Sequence, residues 1–532
     1  MLRRVVTLIA LLAAAGCGGS APSSAAAPGH GSAPVRIALV VEPHTLVSFL
    51  GQSVDDNEML RLIYDPLISS DARGNPIPAL AAAVPTRANG GISRDGLTIT
   101  YRLRSGVRWH DGSPFTSADV AASFRAVMNA ANPVETRHGY DVVSRVETPD
   151  PLTVRFRLKR PFAPFVGTVF AESDAPYYLS PAHLLTGGDA SRTPLAQHPV
   201  GTGPFRFVSW QRGDRVDLEA NAQYWGGAPH IARLRVRFIA DENTQLVGLR
   251  TGELDGLINL SANAAALART IPHVTLATTP INGYWGIMMN NGRGPAADVR
   301  VRRAVALVAD AQAFRRNVVY GFYQRAIADL PAVLWAADPH LAPIPHDPAA
   351  ARALLARAGY GPAHPLRLDL AIFGASQSYR RESVLLQSEL ASIGVRADVH
   401  SYNSDIYDAP ASQGGILPRG KYDIALYGWF AGMDPDDSGQ FLCADRPPAG
   451  YNHSFYCSAA MDAAQREALA SYEPAARKRA YARIEALLVR DVPLHFLGSP
   501  VKISALRDGF GGFTPSFITQ TANAGNWTFS PR

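Results

Sequence analysis

The stretch Leu97–Phe124, LTITYRLRSGVRWHDGSPFTSADVAASF, constrains the fold more than any other, because a strand, a turn and a capped helix succeed one another within it. Ile99, Tyr101 and Leu103 alternate with Thr98, Thr100, Arg102 and Arg104, the period of two of a strand with one buried and one solvated face. Asp111-Gly112 then turns the chain, Asp because its carboxylate can take nearby backbone N–H groups and Gly because it tolerates positive φ. Thr116 with Asp119 three residues on predicts a capping box at a helix start. Val120, Phe124 and Val127, at i, i+4 and i+7, give that helix one apolar face to lay on the sheet. Read alone, the stretch is a structural β-turn-α unit without chemistry.

Other segments extend the pattern. Leu152, Val154, Phe156 and Leu158 alternate with Thr153, Arg155, Arg157 and Lys159, a second half-buried strand able to share a sheet with the first. Val35–Val41 reads as a buried strand, and Tyr422–Trp429 as another. Leu366–Ile372 and Val395–Val399 flank a helix over 376–393, a strand-helix-strand order that implies parallel pairing through a right-handed crossover. Asp347 at an N-cap, Pro348 at N1 and Gly359 past the end bound a further helix. Glu473–Asp491 reads as a long amphipathic one.

The beginning of the chain points to export. Arg3 and Arg4 precede an apolar run from Val5 to Ala15, too short to span a bilayer but suited to a secretory leader. Ala14-Ala15-Gly16-Cys17 resembles a lipobox, so residues 1–16 are expected to be removed and Cys17 acylated, with an unlipidated leader as the alternative. Residues 17–34 are too poor in large apolar groups to fold, and predict a flexible tether with roughly 20–25 Å of reach. Cys443 and Cys457 then remain as an even pair in an oxidising compartment; a disulfide there closes a loop of about fifteen residues, worth about 3 kcal/mol, and two free thiols are the alternative.

The 532 residues suffice for two or three domains, and 47% hydrophobic residues without an apolar run near twenty predict a soluble globular body. Lys and Arg outnumber Asp and Glu only 51 to 45. Arg155, Arg157, Arg233, Arg235 and Arg237 fall on polar strand faces, so nucleic acid is not expected as a partner. Catalytic signatures are absent: no G-x-S-x-G, H-E-x-x-H or C-x-x-C occurs, and the 14 histidines lack metal-ligand spacing. Gly201-Thr202-Gly203 lacks the third glycine of a dinucleotide site. Asp434, Asp436 and Asp437 suit a helix cap or a polar rim better than acid–base work. No enzyme, cofactor or metal is expected.

W-x-D-G-x-P-F-T-x-x-D-V-x-x-S-F, Trp109 to Phe124, also resembles the most recognisable motif of the family 5 extracytoplasmic solute-binding proteins, the peptide and nickel receptors of ABC importers. Met59–Ile68 with Asn75–Ala81, Pro199–Phe207 with Trp210, Asn221, Tyr224-Trp225 and Pro229, and Gly252-Glu253-Leu254-Asp255 resemble further motifs of that family in the same order. The resemblance implies an α/β, two-lobed periplasmic-binding-protein-like fold (type II, cluster C) with an additional small α+β domain in the first lobe. The implied boundaries are 35–68, 196–277 and 499–532 for the first lobe, 69–195 for the small domain and 278–498 for the second lobe. It further implies a monomeric, lipid-anchored receptor on the outer side of the cell membrane or in the periplasm, handing a small solute, by default a short peptide, to a membrane permease. A sensory co-receptor and an extracytoplasmic hydrolase on the same scaffold are the competing readings.

A cleft between lobes needs aromatic walls and a few orienting polar groups. Two stretches supply them: Tyr284 and Trp285 leading to Asn290, and Tyr427, Trp429, Phe430, Met433 and Asp434 where the family's cleft-lining region falls. Glu42 and His44, after the first strand, are a third candidate, and ordinary core is the alternative for each aromatic. In peptide-binding members an Asp shortly after the Trp takes the ligand's α-ammonium, a charge-assisted contact. Here Gly432 stands near that place, so either Asp434 takes the role from a shifted backbone or the ligand has no ammonium there.

Overall fold

Two large α/β sheets and a smaller three-stranded one organise the chain. A computed structural model describes residues 33–51, 53–173, 177–185 and 187–530; the expected leader, Cys17 and the tether up to residue 32 lie outside the described residues.

The first sheet has seven strands in the order Val274–Pro280, Val501–Arg507, Gly256–Leu257, Val35–Leu39, Arg233–Phe238, Arg215–Ala220, Phe205–Gln211. Val35–Leu39 runs parallel to both neighbours. Covered on two faces, it needs a continuous apolar run rather than alternation. Its one cation, Arg36, is held by the buried Asp255 carboxylate at 3.0–3.1 Å. The arginines of Arg233–Phe238 lie on the polar face, where Arg235 pairs with Asp217 at 2.6 Å and Arg237 with Asp214 at 2.9 Å.

The second sheet has the order Arg396–Tyr402, Arg367–Phe373, Ile424–Phe430, Gly283–Met289, Leu494–Gly498. Arg367–Phe373 and Arg396–Tyr402 pair in parallel, joined by the helix Gln377–Ser392. That is the crossover the sequence order implies. The long helix is Pro474–Asp491.

The third sheet holds Thr98–Arg102 against Thr153–Leu158, with Ile99 opposite Phe156 and Tyr101 opposite Val154, all four buried. The helix Ser117–Met128 begins where expected: the Thr116 N–H donates to Asp119 Oδ2 at 2.7 Å. Leu152 departs from the expectation, being 37% exposed, because the strand starts one residue later and Leu152 belongs to the preceding turn. The third strand, Val143–Asp150, shows no alternation in sequence because most of it is exposed.

Motif residues outside this unit are held together by buried polar contacts. Asp65 takes Arg61 at 2.7 Å, the Thr202 hydroxyl at 3.1 Å and Trp225 Nε1 at 2.8 Å. Gly201 packs so closely on this junction that a Cβ would stand 1.9 Å from the Ile63 carbonyl oxygen, which admits only glycine. Cys443 and Cys457 form a disulfide, with Cα atoms 4.6 Å apart.

The chain passes between the large sheets twice, at Ile281-Asn282 and at Ser499-Pro500. The strands before and after these links are paired, Pro280 with Val501 and Trp285 with Gly498. Two adjacent short connections therefore join the two halves. Asn282 amide N–H groups donate to the Gly432 and Asp434 carbonyls at 3.0 and 3.1 Å, and the Ser499 hydroxyl donates to the Gly283 carbonyl at 3.0 Å.

Candidate solute-binding site

A cavity of about 750 Å³ lies between the two large sheets. Most of its lining follows the carboxyl ends of parallel strands. Val40-Val41 follows Val35–Leu39, Ala240–Asn243 follows Arg233–Phe238, and Asn259–Ala264 follows Gly256–Leu257. From the other half come Phe373 with Ala375–Ser378, and Phe430-Ala431. Open α/β sheets leave their crevices at these strand ends, since the backbone must turn there towards a helix. The crossovers contribute Ile281, Asn282 and Pro500, and the first turn of the helix Val54–Ile63 contributes Val54, Asp55 and Asn57.

Strand register decides which aromatics reach the cavity. Gly283–Met289 and Ile424–Phe430 pair with Gly283 opposite Phe430, Tyr284 opposite Trp429 and Trp285 opposite Gly428. Trp285 and Phe430 thus share one face of the sheet, and both line the cavity. Trp285 is fixed from behind: its Nε1 donates to Glu382, and its ring meets Tyr379 edge-on at 4.4 Å. Phe430 is 41% exposed.

The remaining expected site residues lie elsewhere. Tyr284, Tyr427 and Trp429 occupy the opposite face, where Tyr284 packs edge-on against Phe496, Tyr427 donates to Gln440 at 2.9 Å and Trp429 lies against Tyr451. Asn290 donates to the Gly420 and Tyr422 carbonyls at 3.0 and 3.1 Å, a structural tie at the far end of the strand. Asp434 is gripped by both Arg477 Nη atoms, at 2.8 and 2.5 Å, and Met433 is buried in the core of the small sheet. Glu42 accepts from Trp210 Nε1 at 2.9 Å and Gly213 N–H at 3.0 Å, pinning a hairpin, and His44 is exposed 3.8 Å from the Asp56 carboxylate. Each already has a partner or a position that keeps it out of the lining.

The polar lining comes from residues the sequence reading did not single out. Asp55 Oδ2 accepts from the Val41 N–H and Oδ1 from Asn259 Nδ2, both at 2.8 Å, and burial raises its carboxyl above the usual range. Glu242 accepts from the Ser261 N–H and hydroxyl at 2.8 and 2.6 Å. Asp241 caps the following helix through the Thr244 N–H at 2.7 Å, which holds its carboxyl below the usual range. Lys502 donates to Glu58 Oε1 at 2.8 Å and to the Ile518 carbonyl. A signal for Asp55 was present: in Ser53-Val54-Asp55-Asp56 only Asp56 is needed for the capping box, and Asp55 is left over.

Among the described residues no group of three His, Cys, Asp or Glu is placed to hold a metal ion, and no helix is long and apolar enough to cross a membrane. The lining can bury a solute of modest size between an aromatic wall and a rim of amides, hydroxyls and carboxylates.

Comparison with known proteins gives the family and the fold. The model for "Bacterial extracellular solute-binding proteins, family 5 Middle" matches residues 75–447. A glutathione-binding protein of Pectobacterium atrosepticum is 30% identical over 431 residues, 79% of this chain and 81% of that protein. A di/tripeptide-binding protein of Pseudomonas aeruginosa is 29% identical over 470 residues, covering 82% and 85%. In fold, the chain is similar to the crystal structure of NikZ from Campylobacter jejuni in complex with Ni(L-His), with a TM-score of 0.78, 22% identity, and 93% and 99% of the two chains covered. The chain therefore belongs to the bacterial extracellular solute-binding proteins of family 5, and is a non-catalytic, extracytoplasmic receptor that serves the membrane permease of an ABC importer.

Proposed function

We propose that the cavity between the large sheets is where this receptor captures its solute, and that the solute is a short peptide or a peptide-like molecule. The observation that carries the reading is a cavity of about 750 Å³ at strand ends of both halves, bordered by both crossovers between them. That volume lies within the roughly 300–1,000 Å³ of small-molecule sites. Trp285 and Phe430 supply apolar contact on one wall, and Asn259, Asn282 and the first turn of the helix Val54–Ile63 orient the solute's polar groups. The relatives named for glutathione and for di- and tripeptides support the peptide-like class. In this reading the halves are residues 35–68, 196–277 and 499–532 against 278–498, with 69–195 as an added domain, and Cys17 carries the lipid that keeps the receptor at the membrane.

Thermal unfolding with and without candidate solutes tests this. Glutathione, di- and tripeptides, a nickel–histidine chelate, haem and simple sugars form the panel. A solute that binds only the folded chain adds about 2.7 kcal/mol at a hundred times its Kd, a readable rise in Tm. At least one peptide-like member is expected to produce it; a flat response across the whole panel overturns the reading.

A further inference from the structure

A second recess, of about 350 Å³, lies at the edge of the second large sheet, where the strand Leu494–Gly498 has a neighbour on one side only. It shares no lining residue with the cavity between the sheets. Its apolar lining comes from Ile327, Ile344, Leu488, Leu494 and Phe496, the last three buried. Against these stand two guanidinium groups, Arg315 from the helix Ala311–Asn317 and Arg325 from the loop that follows it.

Neither arginine is paired with a carboxylate among the described residues. Arg315 spends one of its five donors on the Leu497 carbonyl, at 3.3 Å. Arg325 is exposed and makes no hydrogen bond or ion pair among the described residues. Burial, and then the charge of Arg325, hold the Arg315 guanidinium below its ordinary value, so the two cations stand close enough to repel. Asp310, the one carboxylate in the lining, opposes that repulsion from a distance but is committed to its helix cap, accepting from the Gln312 and Ala313 N–H groups at 2.8 and 3.0 Å. Behind it, Glu389 is pushed up to about 7 by burial and accepts the Asp310 N–H. The positive charges of the recess therefore outnumber the negative ones.

A third observation points the same way. His495 lines the recess, is 6% exposed and is pushed down to about 4 by burial, so its ring is neutral at neutral pH. Among the described residues its Nε2 has no hydrogen-bond partner, which a buried polar group rarely lacks.

We propose that this recess is a second binding site, separate from the cleft, that takes a small organic anion: a carboxylate or a phosphate monoester carried on a short apolar body. Arg315 and Arg325 meet the anion, whose planar or branched oxygens suit the forked donors of a guanidinium. The apolar side chains cover the body. A volume near the lower end of the roughly 300–1,000 Å³ of ligand sites keeps the ligand small.

Benzoate, phenyl phosphate, benzamide and benzylamine share one ring and differ in charge, and calorimetry on the whole chain compares them. At least one of the two anions is expected to bind, with benzamide and benzylamine weaker by about tenfold or more, as loss of charged hydrogen bonds implies. Arg325→Ala removes a side chain with no hydrogen bond or ion pair to lose, so the Tm of the empty protein is expected to stay unchanged while the anion binds about tenfold more weakly. Arg325→Glu is expected to abolish binding, and Phe430→Ala, in the cleft, to leave it as it is. Silence of both anions, equal binding of benzamide, or binding undiminished in both Arg325 variants overturns the inference. So does anion binding that is lost in Phe430→Ala, which would put the anion in the cleft. Each of these failures leaves capture of the solute between the large sheets standing.

Discussion

Phe430 and Trp285 share a face of the second sheet but are fixed by different physics, so their truncations should separate binding from stability. Phe430 is 41% exposed, so Phe430→Ala is expected to change stability by about 0.5 kcal/mol or less and to weaken solute binding by about tenfold, read as a Tm set against a calorimetric Kd. Trp285 is 7% exposed and satisfies one oxygen of the buried Glu382. Trp285→Ala opens a cavity and strands that carboxyl, at an expected cost of about 3–5 kcal/mol by denaturant titration. Equal stability loss in the two variants would contradict the assignment of Phe430 to the solute. The sequence left this division undecided for a specific reason. Tyr284-Trp285 and Trp429-Phe430 are both aromatic pairs, and alternation sends one member of each pair to either face without saying which face meets the cleft.

Elements carry the next level of explanation. The helix Gln377–Ser392 lies over the second sheet and presents two carboxyls to it: Glu382, raised well above the usual range by burial, and Glu389, pushed up to about 7 by burial. A carboxyl whose pKa is higher in the folded state takes up a proton on folding. Glu389 therefore makes stability fall as pH rises from the unfolded value near 4.5 to about 7, with no further change above that. The Tm difference between wild type and Glu389→Gln is expected to favour wild type more at pH 5 than at pH 8, since Gln keeps an acceptor for the Asp310 N–H but does not titrate. A pH-independent difference would contradict the buried assignment. Most elements were legible, because half-buried strands alternate and helices show their caps: Thr116 and Asp119, and Asp347 with Pro348, stand where the helices begin. Val143–Asp150 was not, since an exposed strand writes no pattern. Most of the polar cavity lining was hidden too, because Asp55 in a helix's first turn, Asn259 after a strand and Lys502 inside another are brought together only by sheet order.

At the scale of the molecule, the elements around the second large sheet touch those around the three-stranded sheet as well as those around the first. Ala163 N–H donates to the Leu469 carbonyl at 2.7 Å, the Tyr472 hydroxyl accepts from the Phe162 N–H at 3.2 Å, and Met433 enters the core of the three-stranded sheet beside Gly167. Met433→Ala is expected to cost about 2–5 kcal/mol and to speed amide exchange on the far side of that contact, around 162–170; exchange unchanged there would show the contact to be incidental. The segment that follows strand Ile424–Phe430 thus packs through Met433 and Asp434, a role its sequence does not announce. Sheets, crossovers and strand-end cavity make one claim together: a solute sits between two halves that the chain links twice. Native mass spectrometry of the receptor purified from its source tests that claim most directly. We predict a small adduct that is released on denaturation and is depleted in Phe430→Ala; a bare mass for the wild type, or an adduct undiminished by that substitution, would contradict it.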